Sequence, residues 1–272
     1  MNFASICDII TFGFCLRATE KSKSERTAYR TMKKIRKSSE LLWVFGILFV
    51  AIGVSICSKA DLGVSMIAAP AFVLSEILSA HLPFFTVGVT EYIFQGLLLV
   101  LLCVTIRRFN WRYLLAFALA ILYGYTLDLF IFILRDVQFN YVWLRWVMLI
   151  VGDIIIAFGI ACFFRTYMPL QVYELFVSEF SKKFNFKLSR VKWIFDISLL
   201  AVSLGLAFAL FFGRDTFDIK EFGYSSFHNL GLGTLVTTAI NSPLISAALK
   251  IVDKTFDPTP RFPELEKLLK LN

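Results

Sequence analysis

The sequence predicts an all-α polytopic membrane protein with about six transmembrane helices in two inverted repeats, each carrying one short re-entrant or interfacial helix. Three observations lead there. Of the 272 residues, 58% are hydrophobic and 30 are phenylalanine, more than a water-soluble domain can bury. The apolar runs recur at roughly 20 residues, the length a helix needs to cross a bilayer. One spacing also occurs twice: Gly46, Gly53 and Lys59 in one half, Gly152, Gly159 and Arg165 in the other. In both copies the glycines are seven apart and the basic residue comes six later. Internal duplication in an apolar chain is a hallmark of transporters that place their sites between repeats. The alternating strands of a β-barrel are missing from the pattern.

Residues 1–40 read as a basic cytoplasmic segment. Its short apolar patch at 9–16 lacks the positively charged n-region that a signal peptide requires. Residues 20–30 are polar and expected to be disordered. Met32-Lys33-Lys34-Ile35-Arg36-Lys37 anchors this end on the cytoplasmic side, and Met32 is an alternative translation start. The first repeat (41–137) holds apolar spans at 41–57, 87–106 and 113–134. The second (138–252) holds spans at 143–164, 191–213 and 230–251. Residues 253–272 form a cytoplasmic tail whose prolines end the last helix before a short surface helix at 264–271.

Two further segments, 64–81 and 168–184, lie between spans, and charge decides whether they cross. With six spans and the N-terminus inside, the inner regions hold nine Lys/Arg before Leu41, three at 107–112, Arg165, five at 182–192 and five from Lys250 on. The outer regions hold five: Lys59, Arg135, Arg145, Arg214 and Lys220. If both extra segments crossed, Arg107, Arg108 and Arg112 would fall outside on a short loop, where the positive-inside bias is strongest. Neither segment is therefore expected to cross. In the second, Tyr173, Phe176, Val177 and Phe180 share a helical face while Glu174 and Glu179 fall elsewhere. The first carries Pro70 and is expected to dip into the membrane as a broken element. Three crossings per repeat make the second copy inverted relative to the first.

Ionisable groups inside a span cost roughly 2.5–3.5 kcal/mol each on insertion scales, so they avoid lipid. Asp153, Gln95 and Asn241 fall near the middle of their helices. Asp128 lies in the outer third, flanked by bulky apolar residues. For Asp128 and Asp153 a hydrogen bond to a neighbouring helix and a transport role are both open. Glu91 is expected at the outer headgroup level. Asp196 is expected at the inner interface, paired with Lys192 four residues before it.

Lys59-Ala60-Asp61-Leu62-Gly63-Val64-Ser65 is the densest motif. Gly63 permits a sharp turn, and Asp61 is placed to cap the next helix. In the second copy Arg165 stands at the place of Lys59, with Pro169 expected in a first helical turn. A basic residue beside a helix N-terminus suits an anion. Alternatively, Lys59 and Arg165 snorkel to the two interfaces.

This turn resembles the K-A-D-L-G-x-S turn of the YitT/YczE-like group of bacterial membrane proteins. The resemblance extends to Gly124…Asp128, similar to that family's Gly-x-x-x-Asp, and to Gly231-Leu232-Gly233-Thr234, similar to its Gly-x-Gly-Thr opening of the last helix. It covers roughly residues 41–252. The second copy departs from it: Pro169 stands where a turn glycine would recur, and Asn241-Ser242-Pro243 replaces a Gly-Pro. That family is largely uncharacterised, so the resemblance implies architecture and a bacterial plasma (inner) membrane location, with both termini cytoplasmic, more than a substrate.

The chain carries none of the soluble-enzyme motifs Walker A, GxSxG, HExxH or GxGxxG, so no enzyme activity is expected. His81 and His228 stand alone in outer loops. The cysteines Cys7, Cys15, Cys57, Cys103 and Cys162 lack CxxC spacing and histidine partners, so neither a metal nor another cofactor is expected. The formal net charge of +8 reflects membrane topology; no soluble basic module offers a nucleic-acid surface. The expected partners are the bilayer and a small solute or ion, with homo-oligomerisation open. The leading expectation is a small-solute or ion permease. In it Asp128, Asp153, Gln95 and Asn241 line the pathway, Lys59 and Asp61 guard the outer approach and Arg165 the inner. The alternative is a non-transporting membrane factor that assists or regulates another membrane or biosynthetic machine.

Overall fold

A computed structural model describes residues 39–107, 109–211 and 229–256. The segment before Ser39, including the basic cluster and Met32, lies outside the described residues, as do Arg214, Lys220, His228 and the tail after Phe256. The described residues form eight helices: α1 (Ser39–Ala60), α2 (Ala69–His81), α3 (Val87–Ile106), α4 (Arg112–Ile133), α5 (Val142–Phe164), α6 (Val172–Phe184), α7 (Leu188–Phe211) and α8 (Leu232–Thr255). Among them, α1, α3, α4, α5 and α7 are long and apolar enough to cross a membrane. Helix α8 adds a sixth span bent by 42° between Asn241 and Pro243. Proline lacks an N–H and its ring crowds the preceding turn, so the bend falls where the sequence puts it. Leu97, Val100, Val104, Leu129 and Phe132 are exposed, as lipid-facing surface requires.

The centre is the pair α1 and α5, and the repeated glycines make it. A Cβ added at Gly46 would lie 3.1 Å from the Gly159 carbonyl oxygen, and one at Gly53 only 2.7 Å from that of Gly152. The first glycine of each copy thus meets the second glycine of the other, which makes the helices antiparallel. Small residues allow this closeness, and in a bilayer such packing replaces the hydrophobic force that lipid cancels.

Side chains tie both ends of this pair. Arg145 at the start of α5 pairs with Asp61 just past α1, at 3.2 Å. Tyr167 just past α5 donates to Glu40 at the start of α1. Lys59 donates to the Arg135 carbonyl at 3.1 Å, and Arg165 pairs with Asp253 at the end of α8. Lys59 and Arg165 therefore sit at opposite ends of the bundle.

Around the pair, α4 packs on α1 and α8 on α5, while α2 packs on α7 and α3 on α6. Exchanging the first four helices for the last four maps each of these contacts onto its counterpart. The pairing of α3 with α4 breaks the pattern, since α7 and α8 show no comparable contact among the described residues.

The two short helices are 13 residues each, about 20 Å long and below a bilayer crossing. Pro70 opens α2 rather than breaking it, in the first turn where its missing N–H costs nothing. Pro169 stands before α6, not in its first turn, and its carbonyl accepts from the Trp43 indole N–H at 3.3 Å. Helix α6 leaves the bundle where it entered. The chain arrives at the α5 terminus beside Glu40, and along α6 Glu179 accepts from Tyr113 at the start of α4 and Lys183 donates to the Thr105 carbonyl near the end of α3.

The turn at Lys59–Ser65 does not cap α2 through Asp61; the N-cap of α2 is Ala68, without a side-chain bond. The turn docks instead on the start of α8. The Leu62 carbonyl accepts from Gly233 N at 2.8 Å, and Val64 N donates to the Asn229 carbonyl at 3.0 Å. Gly63 has φ +110°, and a Cβ there would collide with the Thr234 hydroxyl. Only glycine suits both the dihedral and the space.

Candidate functional site: a buried polar cluster beside a re-entrant helix

Glu91 stands four residues into α3, close to its outer end by sequence count, yet it is 2% exposed. This overturns its expected placement at the headgroup level, and the stagger of α3 against α4 is the cause. A Cβ at Gly88 would collide with the Gly124 carbonyl, and one at Gly96 would lie 3.0 Å from the Phe117 ring. Gly124 is near the middle of α4, so the first turn of α3 starts level with that middle. Glu91 and the fully buried Gln95 come next, level with the N-terminal half of α4.

Being four apart, the two side chains share a helix face. Gln95 Nε2 donates to Glu91 Oε1 at 3.2 Å. Tyr173, in the first turn of α6, donates its hydroxyl to the same oxygen at 3.1 Å. Glu91 Oε2 and Gln95 Oε1 are buried and have no partner. Tyr123 of α4, 3% exposed, lies within electrostatic reach of Glu91 and of Glu174. An unsatisfied buried polar atom costs about 1–3 kcal/mol, so two on adjoining side chains mark a place built for something other than packing.

Glu174 extends the cluster toward α7. The expectation that it falls away from the packed face does not hold, because its Oε2 is buried without a partner. Burial raises its carboxyl above the ordinary range, while Lys192 pulls it back down. Lys192 pairs with Asp196 at 3.8 Å, the spacing-four ion pair the sequence predicts.

A second buried carboxylate stands apart. Asp153, in the middle of α5, is fully buried, and neither oxygen has a partner. Helices α5 and α8 run parallel: Gly233 packs on Leu149, and Arg165 pairs with Asp253. Asn241, whose Oδ1 is also buried and unpartnered, occurs along α8 between those contacts, beside the Pro243 bend.

The remaining expected residues have structural partners. Asp128 caps α3: Oδ2 accepts from the Thr86 hydroxyl at 2.5 Å and Oδ1 from Gly88 N at 2.7 Å. Asp61 pairs with Arg145, Arg165 with Asp253, and Lys59 with a backbone carbonyl. The structure thus brings Gln95 into a cluster with Glu91, Tyr173, Tyr123 and Glu174, none of which sequence reasoning assigns to the site. The i,i+4 spacing of Glu91 and Gln95 is the signal that could have found it. Because Arg145 and Asp61 are both partly exposed, Arg145→Ala should cost less than about 1 kcal/mol, read as a small melting shift in detergent.

Among the described residues no three His, Cys, Asp or Glu side chains gather to hold a metal ion. What the fold defines is an integral, multi-pass, all-α membrane protein with polar side chains sealed inside the bundle. The chain belongs to the family of unknown function DUF6198, whose model matches residues 37–250. No curated protein and no solved structure matches it.

Proposed function

We propose that this protein is a permease for a small solute or ion, with its central site where α6 meets α3 and α4. The observation that carries this reading is the buried Glu91–Gln95 pair, each with an unpartnered oxygen, facing the first turn of a helix that begins inside the bundle. Ionisable groups buried in a membrane mark pathways by default, and half-helices that start at such groups recur in transporters. Asp153 and Asn241 belong to the same pathway, beside the bend of α8.

The two halves are inverted repeats in this reading. Supporting it are the crossed glycine contacts, the exchange of helix contacts between halves, and tethers at both ends of the central pair. The positive-inside bias supports cytoplasmic termini in a bacterial plasma membrane. Kinship with the YitT/YczE-like group gains support from the docking of the Lys59–Ser65 turn on Gly231–Thr234, two motifs of that resemblance in mutual contact. The chain has no enzymatic role in this reading.

The test is flux into proteoliposomes across a panel of inorganic ions and small metabolites. Glu91→Gln and Asp153→Asn should each lower the flux of the transported species about tenfold or more, equivalent to about 1.4 kcal/mol of lost interaction. Flux that neither change alters would sink the site. Absence of any flux, together with a stoichiometric protein partner retained in detergent, would favour the regulatory membrane factor instead.

A further inference from the structure

The two orphan oxygens of the Glu91–Gln95 pair identify what is missing between them. Both are acceptors, so the pair lacks a hydrogen rather than an oxygen. Glu91 Oε1 already accepts from two donors, Gln95 Nε2 at 3.2 Å and the Tyr173 hydroxyl at 3.1 Å. Glu91 Oε2 accepts from none, and Gln95 Oε1 from none. That asymmetry suits a carboxylic acid, with Oε1 as the carbonyl oxygen and Oε2 as the hydroxyl. An acid and a primary amide close a ring of two hydrogen bonds, N–H to carbonyl and O–H to carbonyl. The first of these is present. The second would join the two atoms left unpartnered.

The surroundings agree. Tyr173 faces Glu91 from α6, where Glu174 is the next residue, and Tyr123 of α4 lies within electrostatic reach of both carboxyls. From α2, the contact with this part of α3 is the Ala71 carbonyl, which accepts from Thr90, while Glu76 and His81 lie exposed farther along that helix. Lys192, the basic side chain that acts on Glu174, is paired with Asp196 of its own helix. Among the described residues no cation pairs with Glu91, and a buried, unpaired carboxylate is far costlier than a neutral acid.

We propose that Glu91 binds an exchangeable proton on Oε2, held by Gln95 Oε1. Loading forms one O–H bond with a proton taken from water; unloading breaks it and returns the proton to water. Glu91 alternates between a neutral acid and an anion, and nothing else is consumed. This assignment stands on the geometry of the pair alone; under the permease reading, the proton is the coupling ion.

Infrared spectroscopy of the full-length protein in liposomes tests it. At neutral pH the wild type should show the carbonyl stretch of a protonated, buried carboxylic acid that shifts in D2O. Glu91→Gln, which keeps the shape and the amide-like hydrogen bonds, should lack that band. Tyr173→Phe and Gln95→Leu each remove a donor from Oε1 and should move it to higher frequency; Tyr173→Phe suffices if Gln95→Leu does not fold. Lack of a Glu91-dependent band at neutral pH would overturn the proposal. So would a band absent in sodium buffer and present when a bulky organic cation replaces sodium, which would make the ligand an alkali ion. A band without any flux would leave the proton site standing and remove the permease reading, whereas flux without the band would do the reverse.

Discussion

Gly53→Leu should abolish the central helix pair and with it the folded protein. Even a Cβ at this position would stand 2.6 Å from Ile156 Cγ1, 2.7 Å from the Gly152 carbonyl oxygen and 3.0 Å from Ile156 N. Two of those three atoms are backbone, so relief requires α1 and α5 to move apart rather than one side chain to turn. Overpacking a core costs about 1–3 kcal/mol when side chains absorb it, and more when a backbone must shift. Separating the two helices also loosens the Gly46–Gly159 contact and the ties at Asp61–Arg145 and Glu40–Tyr167. The expected result in detergent is loss of the monodisperse peak in size exclusion and of cooperative melting, with Gly53→Ala intermediate. Gly205→Ala on α7 is the control, because no atom lies within 4 Å of its added Cβ. That change should be neutral or stabilise by up to about 1 kcal/mol through helix propensity. A monodisperse Gly53→Leu protein with wild-type melting would contradict the packing of α1 on α5.

Asp128→Ala should be the next most damaging change. Its two oxygens hold the Thr86 hydroxyl and Gly88 N, and Thr86 Oγ1 in turn accepts from Val89 N at 3.3 Å. These bonds satisfy the start of α3 beside the last third of α4, where Asp128 is half-buried and Thr86 exposed, so water can replace only part of what is lost. Losing a helix cap costs about 0.5–2 kcal/mol, and bonds to a charged group are worth about 1.5–3 kcal/mol each. A fall in the melting midpoint in detergent is expected for Asp128→Ala, with a smaller fall for Asp128→Asn, which keeps one acceptor. Flux per folded molecule separates a cap from a pathway group. It should stay at the wild-type level in Asp128→Asn while collapsing in Glu91→Gln; a collapse in Asp128→Asn with unchanged melting would restore Asp128 to the pathway.

Much of the architecture is legible in the sequence because helix formation in lipid depends on local composition. The span expected at 87–106 is α3 itself, that at 113–134 differs from α4 by one residue at each end, and that at 143–164 differs from α5 by one residue at its start. The repeated glycines are legible as a repeat, and their role as the crossing of that repeat's two copies agrees with the spacing. The Asp196–Lys192 pair comes from helical periodicity alone. Glu91 is misplaced by sequence for a definite reason. Its depth is counted along its own helix, whereas the Gly88–Gly124 contact starts that helix inside the bundle. Asp61 is assigned to the wrong helix end because a capping residue is recognised in sequence by the few residues next to it. Its actual partner, Arg145, lies 84 positions away.

By itself, then, the sequence determined that this protein is an all-α membrane protein and where its five or six helices long and apolar enough to cross lie. Bilayer thickness, helical rise and charge asymmetry act on contiguous residues, so those features can be read in order along the chain. Only the tertiary structure decided which polar groups are structural and which are left without partners. Asp128 and Glu91 are both carboxylates near the ends of apolar helices, and their sequences do not tell them apart. One meets a helix N-terminus that satisfies both its oxygens; the other meets a tyrosine and a glutamine that satisfy only one. Hydrogen-bond satisfaction depends on neighbours brought together from distant parts of the chain, and it is those neighbours that make Glu91 the centre of the proposed site.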